Sequence, residues 1–337
     1  MTASQDLPAW KTGHQGPILV VDQLETRFAT PDGSVSAVNG VSFTVDKGET
    51  IGIVGESGSG KSQVLMSIMG LLPHNGTSTG SVQFDGREIL GMRREELNKI
   101  RGTRMAMIFQ DPMTALNPYL TVGNQLTEVL TFHQSMNPAQ AREQAREVLE
   151  QVHIPEPGKR LDMYPHELSG GMRQRVMIAM GMLCRPDLLI ADEPTTALDV
   201  TIQAEILDLL AEQQAVTGTS IILVTHDLGV VAGLCDRVMV MYGGRIVEQG
   251  PVREIFYDPQ HPYTRALLLS MPRLDDDLTG DLPTIGGQPP NLARMPPGCA
   301  FAPRCGFVSD RCLTAVPPLR EIAPGRAKAC TLDRLVA

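Results

Sequence analysis

Short apolar runs punctuate this sequence, and each ends in glycine or a polar residue. "ETIGIV", "MAMIF", "PDLLIADEP" and "SIILVTHD" hold four or five apolar or glycine residues in a row. Runs this short, without polar alternation, predict strands buried on both faces. Segments with helical spacing lie between them, in "SQVLMSIMGLL" and near 199–214 and 228–235. Alternating strand and helix predicts an α/β core with its chemistry at the carboxyl ends of the strands. Upstream, "ILVVDQLETRFAT" and "VSAVNGVSFTV" have strand composition and flank the turn "PDGS". "GSVQFDGREI" and "DRVMVMYGGRIVEQG" read as hairpins, the second turning at Gly243-Gly244.

Strand character fades over residues 119–160, where "NPAQAREQAREVLEQVHI" predicts a helix capped by Asn137 with Pro138 at its first position. A helical subdomain inserted in a strand-rich core, at about 111–167, is the reading. From about 260 proline and glycine rise, and "LPTIGGQPPNLARMPPG" excludes a regular helix. The predicted organisation is a flexible N-terminus at 1–16, a core at 17–260 and a small irregular extension at 261–337. No internal repeat is visible, so the core occurs once.

The 337 residues are 42% hydrophobic and 20% charged, with a net charge of −9. That balance argues against broad binding to nucleic acid or anionic lipid. No apolar run approaches the roughly 20 residues that span a bilayer, and "MTASQDLPAWKTGHQGP" lacks the layout of a signal peptide. The expectation is a cytoplasmic chain that meets a membrane only through partners.

Chemistry concentrates at the strand ends. Gly55-Glu56-Ser57-Gly58-Ser59-Gly60-Lys61-Ser62 matches the phosphate-binding P-loop pattern G-x-x-x-x-G-K-[ST]. Its glycines permit a turn whose N–H groups point at an anion, and the following helix aims its positive end at the same spot. Lys61 would reach the β- and γ-phosphates and Ser62 would ligate Mg²⁺. A strand before the loop and a helix after it set it apart from an idle Gly/Ser loop. Asp192 and Glu193 end "LLIA", where Asp192 would hold Mg²⁺ and Glu193 would polarise the attacking water. His226 ends a further strand, within reach of the γ-phosphate, and Gln110 ends "MAMIF", suited to sense Mg²⁺ or orient water. "LSGGMRQRVMIAM" at 168–180 offers a second Ser-Gly-Gly turn leading into a helix. A second anion site makes sense if it serves the nucleotide of a neighbouring subunit.

Together, "GESGSGKS", Gln110, "LSGGMRQR", "LLIADEP", "ALD" at 197–199 and His226 resemble the ATP-binding subunit of an ABC transporter, in order and spacing over residues 18–250. The resemblance implies a P-loop NTPase fold with a RecA-like mixed sheet and an antiparallel β region. It also implies two such domains dimerising head to tail, identical or paralogous, with ATP between the P-loop of one and the signature of the other. Gly55 to Ser62 and the adjacent Gln63 would bind nucleotide, and Phe28 would stack on adenine unless it is core packing. Ser169, Gly170 and Gly171 would act in trans, Asp199 would couple the two sites, and Glu193 would be the catalytic base.

"IFQDPMTALNP" and "HPYTRALLLSMPRL" resemble importers of the oligopeptide/dipeptide class, which includes nickel importers. The resemblance implies two membrane permease subunits, an extracytoplasmic solute-binding protein, and a peripheral place on the bacterial inner membrane. Helices near 119–165 would dock on the permeases. Of the six cysteines, Cys184 and Cys235 sit in apolar stretches and read as small buried hydrophobes. Cys299, Cys305, Cys312 and Cys330 follow C-x5-C-x6-C-x17-C, which suits a [4Fe–4S] cluster, structural zinc, or unliganded or disulfide-paired thiols. The resembling importers favour the cluster. A soluble ABC ATPase acting on ribosomes or DNA remains an alternative. However, the translation type would normally carry two nucleotide domains and the DNA type a long inserted coiled coil, whereas this sequence shows one domain and only 58 residues between Gln110 and Ser169, without sustained heptads. An exporter ATPase is the other alternative.

Overall fold

A computed structural model describes residues 15–111, 115–195, 199–271 and 284–335. Most of the N-terminal segment, Ala197 and Leu198 of "ALD", and the end of "SMPRL" lie outside them. Among the described residues, twelve strands form two sheets. They are β1 (Leu19–Thr30), β2 (Gly33–Val45), β3 (Thr50–Val54), β4 (Gly76–Phe84), β5 (Arg87–Glu88), β6 (Met105–Ile108), β7 (Leu188–Asp192), β8 (Ser220–Val224), β9 (Arg237–Tyr242), β10 (Arg245–Pro251), β11 (Arg320–Ala323) and β12 (Arg326–Lys328). The smaller, antiparallel sheet has the order β2-β1-β4-β5. The larger runs β11-β12-β10-β9-β3-β8-β7-β6. Its strands are parallel from β9 to β6 and antiparallel from β9 to β11.

The parallel strands β3, β7 and β8 are buried along their whole length, as their short apolar runs predict. Because side chains alternate across a strand, each serves two cores. Leu188 and Ile190 of β7, with Ile222 and Val224 of β8, face the smaller sheet and helix Lys61–Ile68. Leu189 and Ala191, with Ile221 and Leu223, face the helical side. There, helices Val122–Gln134 and Pro138–Gln151 pack together and against helix Gly170–Met182. Asn137 caps the second of these helices, its Oδ1 accepting from the Gln140 N–H at 3.0 Å. The inserted helices therefore share a core with the helix that follows Ser169.

The Pro/Gly-rich stretch at 284–300 is irregular, as its composition predicts. The chain then returns to the main body. β12 pairs with β10, Glu248 opposite Lys328 and Gln249 opposite Ala327. A third core unites Val54, Tyr242, Tyr263 and Phe301. The change in composition at 260 thus marks a change of chain character, while the sheet continues across it. Among the described residues, no helix is long and apolar enough to cross a membrane.

Candidate functional site

The P-loop lies between β3 and helix Lys61–Ile68. Two of its glycines are obligatory. Gly55 has φ 152° and Gly60 has φ 100°. A Cβ on Gly55 would sit 2.2 Å from the Met241 carbonyl oxygen, and one on Gly60 would sit 2.4 Å from that of Ala37. β9 and β2 therefore press on the loop from outside and fix its path. No side chain caps the following helix, so its first N–H groups remain for an anion. The Ser59 hydroxyl is buried with no hydrogen-bond partner, as suits a group that waits for an oxygen acceptor.

Lys61 is buried, and its ammonium donates to the carbonyls of Gly55 (2.8 Å) and Glu56 (3.2 Å). Burial lowers its pKa, against the pull of Glu193, Asp192 and Glu56. The Ser62 hydroxyl donates to Asp192 Oδ1 at 3.1 Å. Burial raises the Asp192 pKa, which that hydrogen bond partly offsets. A buried carboxylate beside a serine hydroxyl is a donor set that fits Mg²⁺.

Three neighbouring strands deliver the remaining polar groups to one point. Gln110 follows β6, Glu193 follows β7 and His226 follows β8. Gln110 Nε2 donates to Glu193 Oε2 at 3.0 Å, and His226 Nδ1 lies 3.4 Å from the same oxygen. Glu193 has φ 46°, a left-handed conformation unusual for a side chain with a Cβ. Such strain costs roughly 1–3 kcal/mol and collects at functional sites. The Glu193 N–H donates to the Val224 carbonyl at 2.9 Å, which holds the turn in place.

Other predicted residues stand apart from this cluster. Ser169 caps helix Gly170–Met182, its Oγ accepting from the Met172 N–H at 3.3 Å. Ser169 and Gly170 are exposed. Gly171 packs on Ile202, near the start of helix Val200–Thr217, where Asp199 is the cap. An exposed Ser-Gly-Gly turn whose bonds stay within its own helix is available to a second subunit. Phe28 of β1 is half-buried, its ring close against Gly76 of β4. Gln63 is half-buried, and its carbonyl accepts from Ser67 Oγ at 2.7 Å. Glu56 has partners outside the loop: its N–H and carboxylate are taken up by Tyr263 and Arg304 of the extension.

Two links escape sequence reasoning. The buried Gln174 amide donates to the Pro194 carbonyl, tying the signature helix to the turn that carries Glu193. Glu248 of β10, fully buried, accepts the N–H groups of Gln260 and His261 at 2.7 and 2.9 Å, anchoring the "HPYT" segment. No local pattern marks either, because each joins residues far apart along the chain.

Cys299, Cys305, Cys312 and Cys330 line one small cavity together with His261, Phe301 and Pro317. No disulfide joins them. Burial pushes the thiols of Cys299, Cys305 and Cys330 up. The donor chemistry fits iron–sulfur or zinc. Among the described residues, however, no three ligating side chains stand gathered for a metal ion, so binding a cluster would require the thiols to rearrange. Cys235 is half-buried beside Gly52, and burial drives its pKa to about 12, as suits an inert thiol. Cys184 is half-buried.

A P-loop after β3, a carboxylate at the end of β7, one strand removed, and a largely exposed Ser-Gly-Gly helix start define an ATP-binding cassette. Residues 38–196 match the ABC transporter family, and residues 247–312 match the oligopeptide/dipeptide transporter C-terminal region. The oligopeptide transport ATP-binding protein OppD of Salmonella typhimurium is 57% identical over 313 residues, covering 93% of both chains. The dipeptide transport ATP-binding protein DppD of Bacillus subtilis is 55% identical over 291 residues, covering 86% of both. A dimeric post-hydrolysis structure of the ATP-binding cassette MJ0796, bound to ADP and Pi, superposes with a TM-score of 0.64 at 28% identity. It covers 70% of this chain and 99% of its own. The chain belongs to the ATP-binding proteins of the ABC transporter family and is an ATPase of that family.

Proposed function

We propose that this chain is the ATP-hydrolysing subunit that energises an ABC importer for peptides or related small solutes. The observation that carries the reading is the 57% identity to an oligopeptide transport protein, which spans 93% of the chain and so includes most of the extension. That extension separates this reading from an exporter ATPase, and the single cassette separates it from ribosome- or DNA-acting relatives. The ATP-binding unit is residues 17–260, with a helical arm at 111–167, and the extension is 261–337.

In this reading the loop from Gly55 to Ser62 cradles the phosphates, Gln63 lies beside it, and Phe28 stacks on adenine. Lys61 exchanges its bonds to the loop carbonyls for phosphate oxygens. Ser62 and Asp192, with Gln110, would hold Mg²⁺, which when bound neutralises charge on the phosphates. Glu193 takes a proton from the attacking water, steadied by Gln110, while His226 contacts the γ-phosphate. Ser169, Gly170 and Gly171 complete the site of a second ABC ATPase subunit, and Asp199 couples the two sites. ATP favours the closed dimer because only that state makes both sets of contacts. Two permease subunits and an extracytoplasmic solute-binding protein complete the assembly, on the cytoplasmic face of the bacterial inner membrane. No nucleic acid partner is involved. Extracting the chain from membranes with its partners, and screening peptides on the associated binding protein, tests the reading. Recovery without permeases would defeat it.

Cys299, Cys305, Cys312 and Cys330 would hold a [4Fe–4S] cluster, with zinc as the second candidate for four thiolates. Their shared cavity supports this. Metal analysis of anaerobically purified protein should find iron that Cys305→Ser reduces. Wild-type protein free of iron and zinc would overturn it.

A further inference from the structure

The P-loop glutamate is gripped from outside the ATP-binding unit. The Glu56 N–H donates to Tyr263 Oη at 2.8 Å. Its carboxylate receives both arms of Arg304, Nη1 to Oε2 at 2.7 Å and Nη2 to Oε1 at 3.0 Å. These partners lie 207 and 248 residues downstream. The Arg304 side chain is only 4% exposed. Its three other N–H groups go to the Gly286 carbonyl (2.8 Å), the Ile285 carbonyl (3.1 Å) and Tyr242 Oη (3.1 Å). A guanidinium has five donors, and all five are used. Tyr242, Tyr263 and Phe301 pack ring to ring around it, with centroids 4.5–5.3 Å apart. The grip is therefore rigid at its base.

Glu56 is also where the loop leans on itself. Its carbonyl accepts from Lys61 Nζ at 3.2 Å and from the Ser59 N–H at 3.2 Å. Beyond it, Gly58 and Gly60 take positive φ, which brings conformational freedom that phosphate binding must remove.

We propose that Arg304 and Tyr263 are positioning residues for ATP, holding the first turn of the P-loop at Glu56 so that Lys61 and the later N–H groups stay arranged for the phosphates. This rests on the reading of Gly55 to Ser62 as the ATP cradle. Neither residue touches the nucleotide. Both act through Glu56, and the C-terminal extension thereby sets the affinity of a site it does not line. A bidentate fork is central to the grip, so lysine is a poor substitute for Arg304.

The test measures the ATP KM and kcat of the reconstituted full-length assembly carrying Arg304→Met, Arg304→Lys, Glu56→Gln and the Glu56→Gln/Arg304→Met pair. Arg304→Met should raise the ATP KM about tenfold while kcat changes less than threefold. Arg304→Lys should fall between it and wild type. The double variant should be no worse than the worse single one, because both remove the same contact. An unchanged KM in both Arg304 variants would overturn the proposal, as would single effects that multiply in the pair. Where Arg304→Met fails to fold, Arg304→Lys and Glu56→Gln carry the same comparison. Lys61→Ala separates the two readings. If it leaves ATP binding intact, the cradle assignment fails. If it abolishes binding while the Arg304 variants match wild type, the positioning proposal alone fails.

Discussion

Gln110 and Glu193 are joined side chain to side chain, Nε2 to Oε2 at 3.0 Å, across the carboxyl ends of two adjacent parallel strands. The bond leaves Glu193 oriented in a turn whose backbone is already left-handed. A carboxylate held this way can take a proton without first searching for its position.

Glu193→Gln should keep ATP binding and lose turnover by roughly 10²–10⁴-fold, the usual weight of a general base. Gln is isosteric and retains a partner for Gln110, so the strand end keeps its shape. Steady-state ATPase rates beside a fluorescent-ATP titration check this. Wild-type turnover would mean that another group activates water.

Ser169→Arg should impair hydrolysis at the partner's nucleotide more than at its own. The exposed turn makes no bond to the P-loop of its own chain, so added bulk there obstructs only the facing subunit. A mixed dimer with one substituted chain and one Lys61→Ala chain distinguishes the two arrangements, because the rate depends on which chain carries which change.

His261→Asn should flatten the acid limb of the stability curve. His261 is fully buried, and burial first, then the Lys328 ammonium, hold its pKa near 3 against an ordinary 6.5. Between those values the unfolded chain binds a proton that the native chain refuses. The contribution is whole above pH 6.5 and is lost as pH falls, by about 1.4 kcal/mol per unit. At pH 5 this amounts to about 2 kcal/mol. Buried Glu248, whose pKa burial raises, works in the opposite sense, with Arg326 beside it. The comparison is therefore between wild type and variant, by denaturant melts from pH 7.5 to 5. Asparagine keeps the cap that His261 Nδ1 provides to the Tyr263 N–H. Parallel curves would place His261 outside the acid response.

The sequence discloses the phosphate loop and the strand-end residues Gln110, Glu193 and His226 because local chemistry demands them there. Glycines at positive φ and polar residues ending apolar strands are visible one segment at a time. The role of the extension is less legible. Proline and glycine at 284–300 mark an irregular path, yet nothing in "REIA" or "RAK" announces strands that join β10. Arg304 is equally silent, since its meaning depends on Glu56, 248 residues away. Long-range pairing of this kind is set by tertiary packing, which periodicity does not encode.

The most direct measurement is peptide uptake into vesicles holding the full assembly, with ATP supplied to the face that carries this chain. ATP hydrolysis should rise with peptide-loaded binding protein, accumulation should follow it, and both should vanish with Glu193→Gln. Hydrolysis indifferent to peptide, or uptake that survives Glu193→Gln, would contradict the assignment of this chain as the motor of import.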